Sequence, residues 1–273
     1  MEARLVVRAG FDAIYISGYA ASGMMHGRPD IGLIGLESVT ELLRRVALVT
    51  DIPIVVDADT GYGDVSSVLH AVRTLEAAGA SAIQLEDQKW PKRCGHLEGK
   101  SLEDRDIAAR KIAAAVSARK HDRTKIIART DALAPAGLDE ALLRVSAFEA
   151  AGADLTFVDA PPDLDTMRTI GSHGERPRVA NMSESGKTPI LPSDELRALG
   201  FSLALYPTSL VRAFSHVGRH ILNTLARDET TLGVADQIDS LADFNALVGM
   251  DEFLDYDAEI SAANPTVHEP AKG

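Results

Sequence analysis

One stretch carries much of the chemistry available to this sequence: Glu86-Asp87-Gln88-Lys89-Trp90-Pro91-Lys92-Arg93-Cys94-Gly95-His96. Cys94 is the single cysteine of the chain. A lone cysteine is most often a small buried hydrophobe. Here it stands between Arg93 and Gly95, with Lys92 and His96 two residues away on either side. Nearby cations lower a thiol pKa from about 8.5 and ready it to exchange a proton near neutral pH. The same activation would serve a nucleophile. A Cys/His metal centre is disfavoured, because one thiol and one imidazole fall short of four ligands. Gly95 and Gly99 suit a loop that moves over a site.

Val55-Val56-Asp57-Ala58-Asp59-Thr60-Gly61 sets two carboxylates two residues apart at the end of an apolar run. Alternate strand residues point the same way, so Asp57 and Asp59 can face one ion together. Glu86 and Asp87 end the next such run. A carboxylate-rich, all-oxygen site suits a hard, partly hydrated cation such as Mg²⁺, with Mn²⁺ as the alternative. The competing reading is that each acid caps the helix after it. Ile127-Ala128-Arg129-Thr130-Asp131 places an arginine at another run's end. Its planar fork can hold a carboxylate bidentately, or pair with one of the acids. Asn181, Ser183 and Thr188 offer neutral hydrogen bonds. Tyr15 and Ser17 belong to the same weaker class.

These residues need a frame that gathers them. A helix-to-strand junction recurs four times, with Gly10, Gly79, Gly152 and Gly200 where a helix C-cap needs positive φ. The apolar runs around Ile14–Ile16, Pro53–Asp57, Ala82–Leu85, Lys125–Ala128, Leu155–Val158, Arg178–Asn181 and Ser202–Leu205 read as strands. Helical periodicity fills Glu37–Val49, Val65–Ala78, Asp104–Lys120, Leu138–Ala151 and Ser193–Leu199. Strands alternating with helices mean βαβ units and a parallel sheet. No Gly-x-Gly-x-x-Gly turn follows any strand, which disfavours the dinucleotide-binding form of an open sheet. Polar residues collect where the runs end: Ser17, Asp57, Asp59, Glu86, Asp87, Arg129, Asp131, Asp159, Asn181 and Ser209. In an α/β barrel those carboxyl ends surround the active site.

Composition narrows the partners. The chain has 273 residues, 45% hydrophobic and 25% charged, with a net charge of −12. That size suits one barrel domain. The acidic balance argues against nucleic acid or an anionic membrane surface. No run reaches the roughly 18 apolar residues of a membrane span. One cysteine excludes an intrachain disulfide and fits a reducing cytoplasm.

Taken together, the segments Tyr15-Ile16-Ser17-Gly18, Pro29-Asp30-Ile31-Gly32, Asp57-Ala58-Asp59-Thr60-Gly61, Glu86-Asp87-Gln88, Lys92-Arg93-Cys94-Gly95-His96 and Ala128-Arg129-Thr130-Asp131 resemble the isocitrate lyase and phosphoenolpyruvate mutase superfamily. The likeness runs from about Gly10 to Ala258. Lys-Arg-Cys-Gly-His is similar to the lyase branch, and Trp90-Pro91 to its dimethylmalate lyase, oxaloacetate hydrolase and petal-death group. The resemblance implies a (β/α)₈ TIM barrel over 1–227, a helical extension over 228–273, and a last barrel helix near Ser209–Arg227 exchanged between subunits of a dimer or tetramer. It also implies Mg²⁺ held by Asp57, Asp59 and Glu86. Cys94, Tyr15, Lys92 and His96 become the catalytic candidates. Ser17, Gly18, Asp30, Arg93, Gly95, Arg129, Asp159, Asn181 and Ser209 become the binding candidates for a small anionic carboxylate.

The implied reaction is carbon–carbon cleavage of a 2-hydroxy dicarboxylate or tricarboxylate, of substituted malate or methylisocitrate type, through an enolate that Cys94 protonates. Oxaloacetate hydrolysis and a carboxyphosphonoenolpyruvate phosphonomutase-like reaction are the alternatives, with a non-catalytic barrel behind them. Three departures from the family pattern stand out. The chain opens inside a helix, so an eighth strand is expected before Met1. Asp159 stands where glutamate is usual, and Glu184 is followed by Ser185 where glycine is common.

Overall fold

The structure, a computed structural model, describes residues 1–93, 95 and 99–263. Seven strands lie side by side in chain order: β1 (Ile14–Ile16), β2 (Ile54–Asp57), β3 (Ala82–Glu86), β4 (Lys125–Thr130), β5 (Leu155–Val158), β6 (Arg178–Asn181) and β7 (Phe201–Leu205). Every pairing is parallel, in a curled sheet of the TIM-like kind. Between the strands run α2 (Gly18–His26), α3 (Leu36–Ala47), α4 (Val65–Ala77), α5 (Arg105–Ala118), α6 (Leu133–Ala136), α7 (Leu138–Ala150), α8 (Leu164–Ser172) and α9 (Ser193–Ala198). Among the described residues the sheet has seven strands, not the eight of a closed barrel, and β1 and β7 are its edges.

Alternation along each strand explains why the apolar runs are nearly continuous, since both faces of a parallel sheet are covered. Val56, Ile83, Ile126 and Ala128 pack with the helices in one core that also holds Leu43, Val72, Leu75 and Phe148. Val55, Ala82, Ile127, Phe157, Val179 and Leu205 face the other way and make a separate core. All seven expected strands are present, within a residue or two of the apolar runs. Gly79, Gly152 and Gly200 take φ of +109°, +96° and +94°, as the junctions require. The helices α2, α6 and α8 lie outside the expected helical segments: α2 carries no clear apolar stripe, α6 is a single turn, and α8 is short although it buries Met167 and Ile170. Their ends explain two of them: the Ser17 side chain accepts from Ala20 N–H, and Asp163 accepts from Thr166 N–H.

The described chain divides into two compact units, Asp12–Ala213 and Met1–Phe11 with Phe214 onward. The helix α10 (Ser209–Asp228) begins in the first of these units and ends in the second. The smaller unit contains α1 (Glu2–Arg8), the 3₁₀ turn Leu232–Gln237, α11 (Leu241–Val248) and α12 (Met250–Ala263). Within it, the Arg8 guanidinium donates to the Ala246 carbonyl of α11.

Two devices, one polar and one steric, fix neighbouring elements to one another. Arg144 of α7 reaches under β3 and places Nη1 3.0 Å from Asp87 Oδ2, and Asp87 also accepts from Asp131 N–H at 2.9 Å. Asp87 thus ties β3 to β4. The second device is steric. A Cβ on Gly171, in α8, would lie 1.8 Å from the Leu199 carbonyl oxygen, so the two backbones meet only through glycine. Gly171→Ala is expected to cost about 1–3 kcal/mol or more, as overpacking does. Gly23→Ala, with nothing within 4 Å of the new Cβ, should be neutral or slightly stabilising. Thermal melts of the two variants check the contrast.

Candidate active site

A cavity of about 290 Å³ opens where the strands end. Its lining includes Tyr15, Ser17, Asp30, Asp57, Glu86, Lys92, Arg129, Asp159 and Asn181. Most sit at a strand end or just after one, whereas Asp30 follows α2 and Lys92 lies in the loop after β3. The backbone is strained here: Asp59, Tyr62, Ala160 and Ser185 adopt φ of +48°, +61°, +58° and +59°. Non-glycine residues in this region cost about 1–3 kcal/mol and collect at functional sites.

The carboxylate side is short of positive charge. Lys92 Nζ lies 2.5 Å from Asp30 Oδ1 and 2.7 Å from Asp59 Oδ1, with all three side chains buried. Burial works against the ammonium, but Asp59, Asp57, Glu86 and Asp30 together outweigh it and hold Lys92 charged. Lys92, helped by Arg129 Nε 3.5 Å from Glu86 Oε2, does not balance the group. Burial first, then Asp57, pushes Asp59 up to about 7 despite Lys92. Glu86 is likewise raised, chiefly by burial, and its Oε1 is buried without a hydrogen-bond partner among the described residues. Oxygen donors, an orphaned buried carboxylate oxygen and surplus negative charge fit a hard divalent cation. No ready-made cage of three acid, His or Cys ligands exists among the described residues.

A second group, joined to the first at Glu86, is built on Arg129. Its Nε and Nη2 donate to Asp131 Oδ2 and Oδ1 at 2.9 and 3.0 Å, and Nη2 also reaches Asp159 Oδ2 at 3.1 Å. Phe157 lies beneath the guanidinium at 5.1 Å from ring centroid to Cζ, a cation–π contact. Asn181 Nδ2 donates to Asp159 Oδ1 at 3.1 Å, leaving Asn181 Oδ1 buried and without a partner among the described residues. The structure shows the ion-pair reading of Arg129, which also lines the cavity. Asp159, one methylene shorter than the usual glutamate, spends both oxygens on Arg129 and Asn181. Gly95 is pressed against this pair; a Cβ there would sit 1.8 Å from Asp159 Oδ2 and 2.4 Å from Arg129 Nη2.

Arg93 and Gly95 also line the cavity, whereas Gly18, Asp59 and Ser209 do not. Gly18 stands just behind, its N–H donating to Asp57 Oδ2 at 3.3 Å, and Asp59 is covered by Lys92. Ser209 instead donates to the Glu184 carboxylate. Cys94 and His96 lie outside the described residues. Tyr15 is buried; burial first, then Asp57, raises its pKa well above 10, so its phenol donates hydrogen bonds rather than accepting a proton. Sequence reasoning missed Tyr19, Pro207, Thr208 and Arg212, which line the far wall with Glu184 and Ser185. Arg212 gave no signal, since it lies on α10 among residues of ordinary helical spacing.

Strand-end acids and a buried guanidinium thus line one small cavity on a TIM-like parallel sheet. The family model "Phosphoenolpyruvate phosphomutase" matches residues 1–226, and the chain belongs to that family, within the phosphoenolpyruvate mutase/isocitrate lyase superfamily. It is an enzyme of the carbon–carbon lyase type. It is 38% identical over 252 residues to 2,3-dimethylmalate lyase of Eubacterium barkeri, covering 92% of this chain and 87% of that protein. A crystal structure of 2,3-dimethylmalate lyase superposes with a TM-score of 0.90 at 31% identity, over 98% of this chain and 90% of that one. A phosphonopyruvate hydrolase complex with oxalate and Mg²⁺ superposes with a TM-score of 0.84 at 30% identity, over 94% and 89%.

The Arg129 pair makes a pH-dependent contribution to stability. Burial alone would raise Asp131, but Arg129 and then Lys100 hold it down to about 2. A depressed carboxyl stabilises the fold above its unfolded pKa of about 3.9 and loses that contribution as pH falls towards 2. The amount at stake is on the order of 2 kcal/mol. Asp131→Asn is expected to flatten the fall in stability between pH 4 and pH 2, measured by urea unfolding; an unchanged slope would contradict the assignment.

Proposed function

We propose that the protein is a Mg²⁺-dependent lyase that cleaves a small 2-hydroxy dicarboxylate or tricarboxylate, of substituted malate or methylisocitrate type, between C2 and C3. The observation that carries this reading is one cavity lined by both an oriented guanidinium and an under-compensated carboxylate group, the two meeting at Arg129 Nε and Glu86 Oε2, 3.5 Å apart. Arg129 anchors a substrate carboxylate, and Asn181 Oδ1 accepts a hydrogen bond from its hydroxyl end. Asp57, Asp59 and Glu86 would hold Mg²⁺, which supplies Lewis acidity for negative oxygen when bound. Tyr15, kept neutral, donates to the substrate, so the hydroxyl proton passes to a carboxylate lining the same cavity. The C2 oxygen then becomes a carbonyl, the C2–C3 bond breaks, and its electron pair remains on C3 as an enolate. Cys94 returns a proton to C3. Lys92, Arg93 and His96 surround that thiol in sequence and favour its charged form after transfer.

Helix exchange within a homo-oligomer is part of the same reading, supported by exposed apolar side chains along α10 such as Val217, Leu222 and Leu225. Among the described residues no helix is long and apolar enough to cross a membrane.

The test is a panel of dimethylmalate, citramalate, methylisocitrate and oxaloacetate with Mg²⁺, read by coupled detection of pyruvate, glyoxylate and oxalate. Pyruvate or glyoxylate from a 2-hydroxy acid is expected, with kcat at least about 100-fold lower in Cys94→Ala and no turnover in excess chelator. Oxalate and acetate from oxaloacetate would assign the hydrolase instead. Activity intact in both Cys94→Ala and chelator would sink the mechanism.

A further inference from the structure

Lys100 lies outside the cavity lining, and its side chain is only 2% exposed. Its Nζ donates to the Gly95 carbonyl at 2.6 Å and to Asp131 Oδ1 at 2.9 Å. The same Asp131 oxygen accepts from Arg129 Nη2 at 3.0 Å. One buried ammonium therefore joins the backbone next to Cys94 to the carboxylate that orients the cavity's guanidinium. Burying an ammonium costs several kcal/mol unless it is well paired, and here its pairing spans two separate segments.

The other side of position 94 is gripped as well. Gln88, 1% exposed, accepts from Arg93 N–H at 3.0 Å and donates to the Arg93 carbonyl at 2.8 Å. The base of this excursion is closed by Lys89 N–H to the Ser101 carbonyl at 2.8 Å and Glu103 N–H to the Asp87 carbonyl at 2.9 Å. Gly95 itself leaves no room for a Cβ against Asp159 and Arg129. Gly95 is thus held by Lys100 on one hand and lies close against Arg129 and Asp159 on the other.

We propose that Lys100 is a positioning residue that couples carboxylate binding at Arg129 to the backbone flanking Cys94, through the chain Arg129–Asp131–Lys100–Gly95. The proposal rests on the reading of Arg129 as a carboxylate anchor. Linkage is reciprocal, so a carboxylate that binds at Arg129 must change the state of the 93–95 segment by the same free energy with which that segment changes its affinity.

The single thiol makes this measurable without turnover. Alkylation of Cys94 by iodoacetamide is followed with Mg²⁺ alone and with Mg²⁺ plus saturating oxalate, binding being confirmed by calorimetry. In the unaltered protein oxalate is expected to change the rate by about 5-fold or more, the usual lower range of coupling. In Lys100→Met the effect should fall below about 2-fold while oxalate still binds, and Lys100→Arg should restore part of it. Lys100→Gln, which keeps one neutral donor, replaces the Met variant should that fail to fold. An unaltered protein insensitive to oxalate overturns the proposal. So does an oxalate effect undiminished in a folded Met or Gln variant, because simple shielding of the thiol by the ligand does not depend on Lys100. A protein with no lyase activity leaves this readout standing, so the two readings fail separately.

Discussion

A guanidinium buried among carboxylates is the constraint around which this site is organised. Arg129 stacks on Phe157 and binds Asp131 through two parallel hydrogen bonds, with Asp159 taking a third. Such a group cannot shed its proton, so its charge must be matched where it sits. The matching acids are themselves fixed. Asp131 is reached by Lys100 and by Asp87 through its backbone, and Asp87 by Arg144. Asp159 is shared with Asn181. The ends of β3, β4, β5 and β6 are therefore cross-linked by charge, and only a parallel sheet sets four such ends side by side.

The carboxylate group near Lys92 follows the opposite rule. There the acids outnumber the cation, Glu86 keeps an unpartnered oxygen, and Asp59 is lifted to about 7. A fold gains nothing from leaving charge uncompensated in its interior. The imbalance has a use if a divalent cation completes it. One part of the cavity lining is thus preorganised and electrically satisfied, while the other is prepared to accept charge from outside.

Much of this frame was legible from residues alone. The apolar runs marked all seven strands because a doubly covered sheet demands continuous hydrophobicity, and the junction glycines marked the turns. The clustering of Asp57, Glu86, Arg129, Asp159 and Asn181 at strand ends correctly foretold one cavity. Other features were hidden for physical reasons. Asp87 reads like Glu86, yet the strand's alternation turns it away from the cavity to Arg144. Lys100 reads as an ordinary surface lysine, because nothing local reveals that its ammonium is buried between two segments. Arg212 sits on a helix whose spacing gives no hint that it borders the cavity. The helix α2 lacks an apolar stripe, so only its cap at Ser17 betrays it. The seven described strands match the seven strand–helix units read from the sequence.

The contact between Gly95 and the Asp159–Arg129 pair has a consequence for how substrate range can change in this scaffold. Both partners there are already in contact and neither can recede: Asp159 is bound on both oxygens, and Arg129 is clamped by Asp131. That wall is incompressible. Room for a larger or more highly charged substrate has to come from the facing rim, where Glu184, Ser185 and Arg212 are held to one another by hydrogen bonds at the surface. Variation among enzymes built on this plan should therefore accumulate on that rim, with the Arg129 side acting as the fixed jaw against which every substrate is measured.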